Sequence, residues 1–361
     1  MANVNRQSLW RAVYASGEGW SKPEPFADHL SARGVALAAV DGTLYCVHKG
    51  GGAPGFEAPV MWASFTPASA QPFVEALEAI SRPPSEKASE AEAAEREKKV
   101  QVASEALAAA RRWSPDAATG VSSTLPPALV NDGGTLRLIH QVRDPRNELR
   151  EVVLGSKDGA PAWSTPPGSL KYRGSWPATA AFDGTAHLVC CEGADERLVH
   201  LVRGADGKWA EAVDANGIVL KTPDVEETVG PSSLGVHDGI LHLLRSAWLT
   251  KETPEGQEDE HRLWHAVFDG TAWSEGTLLP ATHVSKYPPA LASYDGRLHA
   301  VYATPGKALR HTTWTVKDGW AAGQDVAGSE SAELPALLVF RDGPAGKEHE
   351  ALLLVNRGAR H

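Results

Sequence analysis

Residues 285–320 read SKYPPALASYDGRLHAVYATPGKALRHTTWTVKDGW. The spacing predicts a first strand over 290–293, a turn at Asp295-Gly296, a second strand over 298–302 and a third over 309–315. A second Asp-Gly pair follows at Asp318-Gly319, and Trp320 opens a fourth strand. Asp and Gly accept the positive φ of a tight hairpin turn, so each pair marks a reversal between antiparallel strands. The stretch is one four-stranded meander.

The strand-to-turn signal recurs six times, as VALAAVDG (35–42), PPALVNDGG (126–134), WPATAAFDG (176–184), GPSSLGVHDG (230–239), PPALASYDG (288–296) and LPALLVFRDG (334–343). A closing Trp recurs with it: Trp20, Trp113, Trp163, Trp209, Trp273 and Trp320, at intervals of 93, 50, 46, 64 and 47 residues. Four strands per unit at a period of about 40–50 residues is the signature of a β-propeller. The last unit has two strands, over 334–340 and 351–356, and then the sequence ends. Residues 8–14 (SLWRAVY) supply its third strand and Gly19-Trp20 its fourth. The expectation is an all-β, six-bladed propeller over residues 1–361, closed by N- and C-terminal strands in one blade, which leaves no bare sheet edge at the junction.

One segment breaks the repeat. Residues 69–112, inside the first blade, have helical character. Phe73, Leu77 and Ile80 share one face of a helix over 71–81, which Pro83-Pro84 ends. Residues 85–112 are rich in Ala, Glu and Lys and place Val100, Ala103, Leu107 and Ala110 on one stripe. The expectation is a helical hairpin insertion, either packed on the propeller rim or serving as an arm for self-association or docking.

Composition narrows the function. The 361 residues are 42% hydrophobic with 34 Gly and 25 Pro, which suits a turn-rich β chain with a large core. A net charge of −10 with no Lys/Arg-rich run makes nucleic acid an unsuitable partner. No 18-residue apolar stretch exists to span a bilayer. The opening MANVNRQSLWRAV lacks the apolar core of a secretory leader. Cys46, Cys190 and Cys191 read as buried thiols, with a vicinal disulfide at 190–191 as the alternative. An odd cysteine count without a leader points to a reducing, cytoplasmic setting, with export by an unconventional route left open.

Propeller topology sorts the connections. Turns between strands one and two, and three and four, share one end of the ring. Loops between strands two and three, and between blades, share the other. The second end collects the long loops, including an acidic one over 249–262, so the functional face is expected there. Its aromatic candidates are Tyr172, Trp176, Tyr287, Phe26 and Trp248.

The repeat also aligns polar residues. Tyr45, Arg137, His187, His242 and His299 share a slot in the second strands, and Arg11, Glu151, His200, His265 and His311 share one in the third. Equivalent slots diverge around the axis, and no H-x-x-x-H or C-x-x-C spacing occurs, so no metal and no cofactor are expected. These residues are expected to bond across the crevices between blades, with the repeated Trp plugging the same interfaces.

Two resemblances bear on activity. Residues 156–163, SKDGAPAW, resemble the S-x-D-x-G-x-T-W turn of six-bladed sialidases. Those enzymes imply three arginines and a Tyr–Glu pair near the axis, where this chain offers Arg33, Arg173, Tyr172, Tyr287, Glu226, Glu227 and Glu333. The unit as a whole is similar to the fucose-binding propeller lectins of fungi and bacteria. That family implies an Arg from strand two, a Glu from strand three and a Trp from a neighbouring blade. Only the second blade matches, with Arg137, Glu151 and either Trp113 or Trp209. Arg137 and Glu151 also read as a structural ion pair. The expected function is a non-catalytic lectin-like module that binds a glycan or protein through Trp176, Tyr172, Tyr287, Arg137, Glu151, Arg33 and Trp248, with no catalytic residue assigned. The alternatives are a sialidase-like or other propeller glycoside hydrolase, and an interaction scaffold that uses the helical insertion.

Overall fold

A computed structural model of the chain describes residues 7–51, 56–67, 90–110, 113–143, 147–193, 197–214, 216–217, 219–220, 222, 231–253, 256–342 and 349–358. It contains six antiparallel sheets. The repeat first read in residues 285–320 is the fifth blade, with strands Ala290–Tyr294, Arg297–Ala303, Ala308–Thr315 and Gly319–Trp320 in that order across the sheet. At its first turn Asp295 and Gly296 have φ of 48° and 69°, and Asp41-Gly42, Asp183-Gly184 and Asp238-Gly239 repeat this geometry. Both central residues of such a turn need positive φ, which is why the Asp-Gly dipeptide marks it.

The sixth blade is built from both termini. Gln7–Ala15 lies between His349–Arg357 and Gly19–Trp20, and Ala336–Asp342 forms the inner strand. Leu9↔Arg357 and Tyr14↔Leu352 bound the closing register. The core lies within and between the blades, in clusters that join neighbouring sheets. One such cluster takes Val189 from blade three and Leu243 and Trp264 from blade four.

Several expectations are corrected. Trp113 and Trp273 are not inside fourth strands: the first precedes Ala117–Ser123, and the second makes a single bridge to Phe268 ahead of Thr277–Leu278. The acidic stretch over 249–262 is not an irregular loop. Ile240–Thr253 and Gly256–Phe268 form one long hairpin that pairs as far as Thr253↔Gly256. Trp248 stacks on its cross-strand partner His261 at 5.6 Å. Such pairs hold a ladder together without a buried face.

In the insertion, helix α1 (Glu90–Ala110) is present, and the helix expected over 71–81 lies outside the described residues. Cys46, Cys190 and Cys191 are free and buried, so the vicinal disulfide is absent. Burial pushes the Cys46 and Cys190 thiols up, away from the reactive thiolate. Among the described residues no helix is long and apolar enough to cross a membrane.

Candidate functional site

The two aligned polar slots join within blades two to five, and in blades two to four the pair reaches into the next blade. His187 Nδ1 meets His200 Nε2 at 2.9 Å, and His242–His265 and His299–His311 repeat the contact at the same distance. The indole N–H of Trp273 donates to His200 Nδ1, and that of Trp320 to His265 Nδ1, each at 3.3 Å and each from the following blade. An acceptor Nδ1 places the proton of His200 and of His265 on Nε2, and His299 Nε2, which must donate to the Tyr294 carbonyl, leaves His311 to donate from Nε2 as well. The proton is then donated inward to the second-strand ring, whose own proton sits on Nε2. His187 passes that proton toward Thr185 Oγ1 and His299 toward the Tyr294 carbonyl. Burial keeps all six imidazoles neutral. It lowers His200 and His265 to about 3, and His187, His242, His299 and His311 to about 4.

In the second blade Arg137 and Glu151 occupy these slots. Arg137 donates to Glu151 at 2.8 Å and to Asp132 at 2.7 Å, and Trp209 of the third blade donates to Glu151 at 3.1 Å. The neighbouring aromatic is therefore Trp209; Trp113 instead packs on Phe26 and Phe65. Glu151 is 1% exposed and takes a further bond from the Leu170 amide. Arg, Glu and Trp come together as the lectin resemblance implies, but protein groups fill the space between them.

The other candidates fall in three places. Tyr172 bridges the second and third blades and donates to Glu192 at 3.1 Å. Trp248 is exposed on the long hairpin of blade four. Trp176 lines the mouth of the central channel, a cavity of about 210 Å³ formed by the starts of the inner strands, whereas Arg33 and Tyr287 stand just ahead of two of those strands and do not line it. Arg33 bonds Glu333 at 3.1 Å, and Arg357 bonds the same carboxylate at 3.3 Å. Burial raises the Glu333 carboxyl, and the two guanidiniums oppose that rise. Lys49, wholly buried, donates to the Thr124 carbonyl at 3.1 Å. Burial, and then repulsion from Arg33, lower its amine to about 8. Glu226 and Glu227 lie outside the described residues. Trp176 lines the cavity at φ 53°, on a bulge between Ser175 and Ala178. A bulky residue before proline is held there only against steric cost, and such strain gathers at working sites.

The larger hollow was not foreseen. A crevice of about 560 Å³ opens between blades five and six on the long-loop side. Its walls include Trp10, Asn356, Asp325, Glu330 and Ser329. The Ser329 hydroxyl is buried and without a partner, although the residue is 94% enclosed, being 6% exposed. Comparison of two equivalent segments explains the hollow. Strands Glu24–Ser31 and Gln324–Glu330 each pair with the third strand of their own blade. Ser31 and Ser331 each donate to the last carbonyl of a second strand, on Lys49 and Arg357. Aligned on those serines, Phe26 corresponds to Val326 and His29 to Ser329. Between blades six and one, Phe26 and His29 stack at 4.5 Å and fill the seam. Their smaller counterparts leave the next seam open.

With this geometry in view, known structures can be compared. AofleA from Arthrobotrys oligospora matches over 97% of both chains at a TM-score of 0.53 and 12% identity. The fucose-recognising lectin of Aleuria aurantia matches over 91% of this chain and 97% of its own, at 0.50 and 11%. The chain has the six-bladed propeller fold of these structures. An enzyme shares the fold: an α-L-arabinofuranosidase from Fusarium graminearum matches at 0.54 and 13%, over 90% of this chain and 92% of that one. No protein-family profile and no curated protein sequence matches this chain.

Sequence reading missed Trp10, Ser329 and Asn356. The signal was available in the aligned segments, as two large-to-small exchanges at buried positions. A search for charged and aromatic residues passes over both.

Proposed function

We propose that the chain is a carbohydrate-binding propeller that holds a sugar unit, without turning it over, in the crevice between blades five and six. One observation carries this reading: an open crevice in which a half-buried indole, Trp10, stands with the unpartnered hydroxyl of Ser329. A sugar offers C–H surface to an aromatic face and hydroxyls to buried polar atoms, and unmatched polar atoms favour the ligand that satisfies them. The volume is within the range of small-ligand sites. The carboxylates of Asp325 and Glu330 on the wall favour a neutral sugar over an acidic one.

The test is a glycan array with the whole chain, followed by titration of the best ligand against Trp10→Ala and Ser329→Phe. Both variants are expected to lose at least tenfold in affinity while remaining folded. Unchanged affinity in both sinks the crevice as the site.

A second reading is supported by the strained Trp176. The channel mouth, lined by Trp176 and preceded on two of its strands by Arg33 and Tyr287, would then take the ligand, as a binding site or as the active site of a glycoside hydrolase. Retained binding in the crevice variants, with loss in Trp176→Ala and Tyr287→Ala, would favour it. Release of aryl alcohol from aryl-glycosides would favour the hydrolase.

A further inference from the structure

The seam between blades six and one carries a cluster that the sugar-binding reading does not use. His29 lies on Glu24–Ser31, His48 on Thr43–Lys49, and Asp116 just ahead of Ala117–Ser123. His29 Nδ1 and His48 Nε2 both reach the same oxygen of Asp116, at 2.6 and 2.9 Å. The three atoms lie within 4.8 Å of one another. His29 is 3% exposed and His48 is fully enclosed, whereas the Asp116 side chain keeps 20% of its surface open.

We propose that His29, His48 and Asp116 form a binding site for a divalent first-row transition metal, with zinc the best fit. Two imidazoles and one carboxylate suit zinc and its neighbours rather than calcium or magnesium, which take oxygen ligands. Metal–ligand bonds of about 2.0–2.2 Å set neighbouring ligand atoms about 3.3 Å apart at a tetrahedral centre. The two contacts to Asp116, at 2.6 and 2.9 Å, would open by about 0.7 and 0.4 Å to admit the ion, shifts within reach of side-chain rotation. Without an ion, His29 Nδ1 and His48 Nε2 carry the protons they donate to Asp116, and binding moves each proton to the other nitrogen of its ring. The open edge of Asp116 gives the ion a way in and leaves a coordination position for water. Phe26 packs on His29 and fixes the ring. The three ligands come from three chain segments on both sides of the seam, so a bound ion would pin blade six to blade one.

The experiment uses the whole chain, stripped with a chelator and titrated with Zn²⁺ against a chromophoric competitor. Metal content is then measured after desalting, and the cobalt spectrum is recorded. The expected result is one equivalent of zinc, intense visible absorption of tetrahedral Co²⁺, and a Tm raised by a few degrees. Asp116→Asn, at the exposed ligand, should keep the fold and weaken zinc at least tenfold. His29→Gln should do the same, and if it fails to fold, Asp116→Asn alone decides. No retained zinc and no cobalt absorption in the wild type overturns the site. So does equal affinity in Asp116→Asn, which would place the metal on other histidines.

Discussion

The indole N–H of Trp273, in the fourth blade, ends on Nδ1 of His200 in the third, 3.3 Å away. That bond fixes the tautomer of His200 and, through it, that of His187. Neighbouring blades are thus joined by a directional run of N–H groups that works only with uncharged rings. His187, His200, His242, His265, His299 and His311 are all depressed, by burial first. In the unfolded chain they would titrate near 6.5. Below that pH the unfolded state binds more protons than the folded one. Stability is therefore complete above about 6.5 and is lost as pH falls toward 3–4, at up to about 1.4 kcal/mol per pH unit for each ring. Tm should drop steeply between pH 6.5 and 4.5. A flat profile over that window would contradict the neutral relay.

Arg137 is held between Glu151 and Asp132. Arg137→Met would leave Glu151 buried without its cation, at a cost of about 3–5 kcal/mol. The expected outcome in urea titration is a large fall in the unfolding midpoint, with glycan affinity of the folded fraction unchanged. Reduced affinity at unchanged stability would instead make Arg137 a ligand contact.

Trp264 lies against Gly276 so closely that a Cβ there would stand 1.5 Å from the ring. Gly276→Ala should displace a buried indole and cost about 3 kcal/mol or more. Gly155→Ala is the control, since its Cβ would meet nothing nearer than 3.9 Å. Calorimetry of the two variants should separate them by several degrees in Tm.

Gly358 permits Trp10 to rest on the chain. A Cβ at 358 would approach the indole nitrogen to 2.7 Å. Gly358→Ala should tilt the ring that walls the crevice and reduce sugar affinity about tenfold, with little change in Tm. Equal affinity would show that the indole face is not part of the site.

The ring of six meanders was legible because its signal is local and repeated. Asp295-Gly296 turns by the same geometry as Asp41-Gly42, and each copy supports the others. The closing sheet was legible because the missing strands could be counted. The site was less so. Arg137, Glu151 and Trp209 did converge, but Leu170, which closes the space around them, follows no pattern, and Asp132 stands in the repeated turn, where it read only as turn chemistry. Trp248 read as part of a loop because its surroundings are polar, yet cross-strand pairing alone extends the hairpin there. The crevice at Ser329 depends on what is small, and His29, His48 and Asp116 meet across spacings of 19 and 68 residues that carry no motif.

The sixth blade inserts Gln7–Ala15 between strands drawn from the far end of the chain. Its sheet requires contacts up to 348 residues apart, as between Leu9 and Arg357. Loop closure on that scale is slow, so five blades can stack before the circle is sealed. In that interval the flanks of blades one and five would stand open as sticky borders, and a second chain could lend its own leading segment to fill the gap. Refolding at high concentration should therefore yield interlocked dimers through exchange of residues 7–20, whereas dilute refolding should return monomers.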